Sequence, residues 1–314
     1  MAAGVAGALW PLAAKAQQPR RIGLLRLVLL PQIADFRAGL EEIGFAEGRN
    51  LIIDDRLAEG DYARLPELAA DLVRRHVEVL VCAGGTESVR VAMRATAAIP
   101  IVGTSVVPTD DPFELVKHHN RPEGNVTGIG IITGDLMPKR LQILAELMPG
   151  AIVGVLLNPT YSNHQRSLVI IEAAARELHL KLTFANASAD ADLAPAVAAL
   201  AGQGAGAVIA EAEPFLGSRW QRLVLLAEQH KLPMLQEWQH AVAAGGLISY
   251  APSLRWVYRQ LGRYTGQLLN GAKPADLPIV APDKIEMAVN LKTAKALGLA
   301  VPPALLARAD EVIE

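Results

Sequence analysis

The chain has 314 residues, too many for one typical hydrophobic core and enough for two lobes of roughly 120–150 residues each. Hydrophobic residues at 51% against 20% charged residues exclude a disordered chain, and 30 basic against 32 acidic residues with no basic run leave nucleic acid without an electrostatic footing. A single cysteine, Cys82, excludes both an intrachain disulfide framework and a cysteine-rich metal site.

At the N-terminus, residues 2–14 are small and apolar, and Ala14-Lys15-Ala16 precedes Gln17-Gln18-Pro19-Arg20-Arg21. A short apolar core ending in small residues at alternating positions is the pattern of a secretory signal cleaved after Ala16, although the usual basic residues ahead of it are missing. The segment is too short to span a bilayer. The expectation is an exported, periplasmic protein, with residues 1–16 as a signal-like segment.

From Arg21 onward, apolar runs alternate with amphipathic stretches. The spacing predicts strands at residues 22–25, from 51, and at 77–83, 101–105 and 126–132. It predicts helices at 33–43, closed by Gly44, and at 61–75 and 88–97, with 115–120 a short helical or loop piece. The rhythm then restarts. Helices are expected at 137–147, 163–178, 192–200, 218–230 and 254–270, and strands at 152–157, 181–186, 207–210, 234–237 and 246–250. Short strands buried on both faces and separated by helices argue for α/β architecture, with parallel sheets built from βαβ units in two doubly wound lobes. Ligands of such sheets bind outside the carboxyl ends of the strands, so the cleft between facing lobes is the expected site.

Four stretches carry a resemblance: Ala58-Glu59-Gly60-Asp61-Tyr62-Ala63-Arg64-Leu65-Pro66, Arg121-Pro122-Glu123-Gly124-Asn125-Val126-Thr127-Gly128, Ala244-Gly245-Gly246-Leu247-Ile248-Ser249-Tyr250, and the tail Val289-Asn290-Leu291-Lys292-Thr293-Ala294-Lys295-Ala296-Leu297-Gly298-Leu299. Taken in order, they resemble the ABC-transporter substrate-binding protein family that includes the tryptophan-binding receptors. The resemblance implies a type I periplasmic-binding fold with a hinge of three crossovers. One lobe would comprise residues 20–130 with 251–275, the other 131–250 with 276–314. It further implies binding without catalysis or cofactor, a small-molecule solute, an ABC permease in the inner membrane as partner, and a monomeric receptor. It does not fix the ligand.

Several residues are candidates to touch that ligand. Gly84-Gly85-Thr86 follows the third strand and opens a helix. Glycines let backbone N–H groups come close, a helix N-terminus favours a carboxylate, and Thr86 supplies a hydroxyl or the N-cap. The family places a similar Gly-Thr turn at the ligand; the plain alternative is a strand-to-helix turn. Asn158-Pro159-Thr160-Tyr161-Ser162-Asn163 is the second-lobe counterpart. There Ser162 or Asn163 caps the helix and Tyr161 lies over an apolar part of the solute, or the loop merely caps. Thr104 and Ser105 end the fourth strand. Asp110 or Asp111 beyond them accepts from an amine or caps its own loop, and Val106-Val107 stands where similar proteins carry glycines. Glu211 and Glu213 end a second-lobe strand, two residues apart and so on one side of it; Glu213 is the candidate partner for a ligand ammonium.

Trp238 reads equally as a stacking surface or as hinge packing, and Tyr250 as a hinge residue. Arg26 is placed to grip a carboxylate with both prongs, and the apolar run Leu27-Val28-Leu29-Leu30-Pro31 after it lines the pocket or packs on the sheet. Trp220 and Trp256 read as packing. Seven histidines, His118-His119 included, show no metal spacing. Cys82, inside Val79-Leu80-Val81-Cys82-Ala83, reads as a small core residue.

These features predict a receptor closing on a small carboxylate-bearing solute, an amino acid or an aromatic acid, with a nucleobase or other neutral heterocycle as the alternative. Two other classes compete. A hydrolase using cleft carboxylates or Cys82 would need a base beside its nucleophile. A cytoplasmic ligand sensor of the same fold would need an N-terminal helix-turn-helix, for which few residues precede the first strand.

Overall fold

The computed structural model describes residues 18–29, 31–106, 120–131 and 134–314. The signal-like segment, Leu30, the predicted piece at 115–120 except its last residue, and the loop carrying Asp110, Asp111, His118 and His119 lie outside the described residues. Strands β1 (Arg20–Arg26), β2 (Leu51–Leu57), β3 (Val79–Cys82), β4 (Ile101–Thr104) and β5 (Val126–Ile129) pair in parallel in the order β2-β1-β3-β4-β5. β3, β4 and β5 are buried at every position, as their uninterrupted small and aliphatic sequences require in a sheet covered on both faces. Helices α1 (Ile33–Glu42), α2 (Leu65–Arg74) and α3 (Gly85–Ala95) connect them.

The second set comprises α4 (Met137–Leu147), β6 (Ile152–Leu157), α5 (His164–Glu177), β7 (Lys181–Asn186), α6 (Leu193–Gly202), β8 (Ala205–Ala210), α7 (Pro214–Ser218), α8 (Trp220–Gln229), β9 (Met234–Gln236), α9 (Gln239–Ala243) and β10 (Ile248–Pro252). The chain then returns to the first sheet as α10 (Leu254–Leu269). It crosses back to add β11 (Ile285–Asn290), α11 (Leu291–Ala296), α12 (Pro303–Leu306) and β12 (Glu311–Ile313). The second sheet runs β12-β11-β10-β9-β8-β6-β7, parallel throughout except between β10 and β11. Three crossovers thus join two lobes of mixed α/β structure. No helix among the described residues is long and apolar enough to cross a membrane.

Each sheet carries an apolar cluster on each face. In the first lobe, α1 and α10 close one face and α2 and α3 the other; in the second, α4, α5 and the C-terminal segments oppose α6 and α8. The tightest helix contact is α1 on α10. A Cβ built on Gly39 would stand 2.0 Å from Arg259 O, and one on Gly262 2.1 Å from Phe36 O, so the two backbones touch only because both residues lack side chains. Glu42 accepts from Arg259 and Arg263 at the exposed rim of this seam, where ion pairs contribute little.

Some boundaries differ from the sequence expectation. The helix expected over 61–75 starts as a tight turn, Tyr62–Arg64, in which Asp61 Oδ1 accepts from Ala63 N at 2.9 Å; α2 follows with Pro66 in its first turn. The helix expected over 218–230 is α8, and a short helix that was not expected, α7, precedes it because Glu213 caps it and Pro214 opens it. The segment 277–280, assigned to the second lobe from sequence, lies against β5 of the first. Thr127 Oγ1 donates to Leu277 O at 2.7 Å, Gly130 N to Val280 O at 2.7 Å, and Ile279 packs in the first-lobe core. The antiparallel β11 was not predicted.

The α1–α10 seam gives a direct test. Gly39→Ala overfills it and lowers the unfolding free energy by about 1–3 kcal/mol in denaturant titration. Gly202→Ala at the end of α6, where a Cβ meets nothing within 4 Å, leaves stability unchanged or raised.

Candidate functional site

The carboxyl ends of β1, β3 and β4 form the first-lobe rim. Gly84 is the N-cap of α3 and Gly85 its first residue. Gly85 has φ +73°, a conformation that an L side chain rarely adopts. Ser88 Oγ donates to Gly85 O at 2.7 Å and accepts from Gly84 N at 3.2 Å, which ties the turn from inside. Thr86 is therefore not the cap; it sits one residue into the helix, and its Oγ1 donates to Ser105 O at 3.3 Å. The first amides of an α-helix have no intrahelical acceptor, so this turn presents donors to the cleft. Ser105, just past β4 and the buried Thr104, has φ +59°, a strain of about 1–2 kcal/mol for a non-glycine that clusters at binding sites.

Arg26 departs from expectation. Its Nε donates to Asp55 Oδ1 at 2.9 Å and its Nη2 to Asp55 Oδ2, so the two-pronged grip foreseen for a solute carboxylate is taken by the neighbouring strand. Leu27 and Val28 are buried in the first-lobe core with Ala58 and Leu65, while Leu29 is exposed. This apolar run packs on the sheet.

The second-lobe rim follows β6, β8 and β9. Asn158 is buried, and its Oδ1 accepts from Thr160 N at 3.1 Å and Thr160 Oγ1 at 2.7 Å, which shapes the loop. Asn163 occupies the N-cap of α5 without a side-chain capping bond; its Nδ2 instead donates to Tyr161 Oη at 3.4 Å, and Ser162 is exposed. Glu211, 1% exposed, accepts at Oε2 from Asn158 N at 2.9 Å and from His164 Nδ1 at 3.2 Å. Glu213, 2% exposed, caps α7 by accepting from Leu216 N at 2.5 Å and Phe215 N at 2.8 Å. Trp238 precedes α9 and packs on the first-lobe core. Tyr250 O accepts from the buried Arg140 Nε at 2.8 Å.

The two rims meet. Tyr62 Oη donates to Glu213 Oε2 across the cleft at 3.2 Å. A Cβ on Gly85 would stand 3.3 Å from Pro214 Cγ, and one on Gly60 2.8 Å from both terminal nitrogens of Arg219. Gln32 Nε2 lies 3.4 Å from His240 Nδ1. Tyr161, held by Asn163, lies in the field of Glu213, which is next to Pro214, so the Gly85 turn and the Asn163 turn face one region. Sequence reasoning missed Tyr62, Gln32, His164 and His240 as members of this region. Tyr62 lay inside a stretch carrying the family resemblance; the others had no sequence signal.

The region is negative. Burial pushes Glu213 up to about 7, against the Leu216 and Phe215 amides that pull it down. Burial pushes Tyr161 up to about 12, with Glu213, Glu211 and Glu237 adding to the rise, and pushes Tyr62 up further, with Glu213 next in effect. Nearby cations are engaged: Arg26 with Asp55, Arg90 with Glu87. Cys82 is fully buried in the first-lobe core and burial pushes its thiol up, away from the thiolate a nucleophile needs. Among the described residues, no three His, Cys, Asp or Glu side chains are grouped as metal ligands.

Glu213 sets a pH dependence. Its folded pKa is raised, so its stabilising contribution is complete below the ordinary carboxylate range near 4.5 and is lost as pH rises through about 7. The ligand-free protein should lose on the order of 2–3 kcal/mol between pH 5 and pH 8, and Glu213→Gln should flatten that slope in denaturant titrations. The lowered carboxylates Asp71 and Asp310 act in the opposite sense but only at lower pH.

Comparison with known proteins matches this architecture. The chain is 27% identical over 296 residues to a tyrosine-binding protein of Clostridioides difficile, covering 90% of this chain and 82% of that one. A conserved domain protein of Vibrio cholerae superposes with a TM-score of 0.84 at 26% identity, over 94% of this chain and all of that one. An ABC domain from Streptococcus pneumoniae in complex with L-Trp superposes at 0.82 with 22% identity and the same coverage, which shows the shared type I periplasmic-binding fold. The profile of the ABC transporter substrate binding protein family matches residues 29–313, and the chain belongs to that family of solute-binding proteins, which bind rather than catalyse.

Proposed function

We propose that the protein is the extracytoplasmic receptor of an ABC importer, closing as a monomer on an amino acid with an aromatic side chain and docking in that closed form on a membrane permease. The observation that carries this reading is the meeting of two unlike rims. The α3 amides around Gly85 and Thr86 attract a carboxylate, and the buried Glu213, flanked by Tyr161 and Tyr62, attracts an ammonium. A solute carrying both charges touches both lobes, and a solute that touches both lobes favours the closed arrangement over the open one by its differential contacts. The tyrosine-binding relative supports an amino-acid solute, and Tyr161 and Trp238 supply aromatic surface beside the charged groups. The sequence expectation admitted aromatic acids equally; the negative second-lobe rim favours a solute with an amine.

A thermal-shift screen of amino acids, aromatic acids and nucleobases tests the reading. L-tyrosine or L-tryptophan at 100 times its dissociation constant stabilises the folded state by about 2.7 kcal/mol and raises the melting temperature by several degrees. No shift with any amino acid contradicts the proposal. Gly85→Ala then weakens binding of the identified solute by about tenfold in calorimetry, through left-handed strain and crowding against Pro214. Gly124→Ala, with φ +72° and nothing within 4 Å of the new Cβ, carries the same local strain and leaves affinity unchanged.

A further inference from the structure

Behind the second-lobe rim, a narrow, partly open cavity of about 20 Å³ lies between the ends of β8 and β9 and helices α7, α8 and α9, with room for one water-sized group. Its walls are mostly apolar, from Ile209, Leu216, Leu223 and Leu235, and the indoles of Trp220 and Trp238 complete them. Trp238 also packs on the first-lobe core, so the cavity sits directly behind the surface where the lobes meet. Gly217 is part of its lining. A Cβ there would come within 3.3 Å of Glu237 Oε2 and 3.7 Å of Trp238 Nε1.

On this wall, the buried Glu211 Oε1 and Gln236 Nε2 have no hydrogen-bond partner among the described residues. Gln236 is 4% exposed. Such atoms are rare in folded proteins, because each costs the desolvation of a hydrogen bond left unmade. Their chemistry is complementary: one is a carboxylate acceptor, the other an amide donor. The carboxylates of the wall already have neighbours, since His164 donates to Glu211 and Arg140 lies in the field of Glu237. The cavity therefore does not call for another cation. It calls for one small group that donates to Glu211 and accepts from Gln236, at the tip of an aromatic body that the two indoles can flank.

We propose that this cavity receives the phenolic hydroxyl of the solute, and that Glu211 and Gln236 are the residues that select a hydroxylated aromatic amino acid over its unsubstituted analogue. The inference rests on the amino-acid receptor reading above and adds which side chain is selected. A site built to hydrogen-bond a hydroxyl rejects the analogue lacking it far more strongly than an apolar slot rejects a missing methylene, because its own buried groups are then left unpaired. The size of the cavity sets a second limit, since a methyl ether in place of the hydroxyl does not fit.

Calorimetric titration of the full chain with L-tyrosine, L-phenylalanine and O-methyl-L-tyrosine tests this. L-tyrosine should bind at least roughly 30-fold more tightly than L-phenylalanine, and the methyl ether more weakly than either. Gln236→Met, similar in shape but without the donor, should bring the tyrosine-to-phenylalanine ratio to within a few-fold of one, chiefly by weakening tyrosine. The melting temperature of the ligand-free variant reports that it folds. Equal binding of tyrosine and phenylalanine to the unaltered chain overturns the proposal and leaves the cavity to a buried water, with the receptor reading intact. So does a ratio that Gln236→Met does not change, and so does a protein that binds only aromatic amino acids lacking the hydroxyl. If no amino acid binds, the receptor reading falls and this inference falls with it.

Discussion

The closed cleft depends on bare backbone at two places. Gly60 lies in a first-lobe turn and Gly85 at the start of α3, and each lies where a second-lobe side chain arrives, Arg219 on one and Pro214 on the other. Both have positive φ, so the chain reaches these positions in a shape that side chains resist. With them in contact, Tyr62 reaches Glu213 and Trp238 reaches the first-lobe core. Arg219 is itself steadied by Asp190 at 2.7 Å, by Ser218 Oγ at 2.8 Å and by the Phe215 ring beneath it, so the approach is made by a braced side chain rather than a free one. Gln32 and His240 add a polar contact between the lobes, and Tyr62 also packs on the second-lobe core.

The two acids that end β8 have separate jobs despite their spacing. Glu213 is committed to the amides that start α7 and to Tyr62, so it couples the second-lobe backbone to the first lobe. Glu211 turns inward, fixes the Asn158 loop and His164 with one oxygen, and leaves the other on the cavity wall. A hydrolytic reading of the pair has no support in this geometry, since Glu213 is spent on the α7 amides, Glu211 on Asn158 and His164, and Cys82 is sealed in the other lobe.

Much of the fold was legible because it is written in local pattern. The aliphatic runs of β3, β4 and β6, the 3.6-residue spacing of α1, α4 and α5, and glycines at helix ends such as Gly44 identify strands and helices without tertiary knowledge. What failed was non-local. The antiparallel pairing of β11 with β10 depends on where the third crossover releases the chain, and hydrogen bonds from Thr127 and Gly130 hold it to the first lobe through Val280. In the site, the Gly85 turn and the Asn158–Asn163 loop were readable from strand-to-helix punctuation. Arg26 misled because its partner, Asp55, lies on an adjacent strand in register with Leu24, a pairing invisible in sequence. Gln236 carried no sequence signal at all; its significance comes only from being buried beside Glu211 with nothing to bond.

The central claim is that the lobes grip a solute jointly. Small-angle X-ray scattering with and without saturating L-tyrosine tests it most directly, on the unaltered chain and on Gly60→Trp, whose indole would stand where Arg219 arrives. The account predicts that L-tyrosine contracts the radius of gyration of the unaltered chain and leaves that of Gly60→Trp near its ligand-free value. A bound solute that changes neither radius would contradict it.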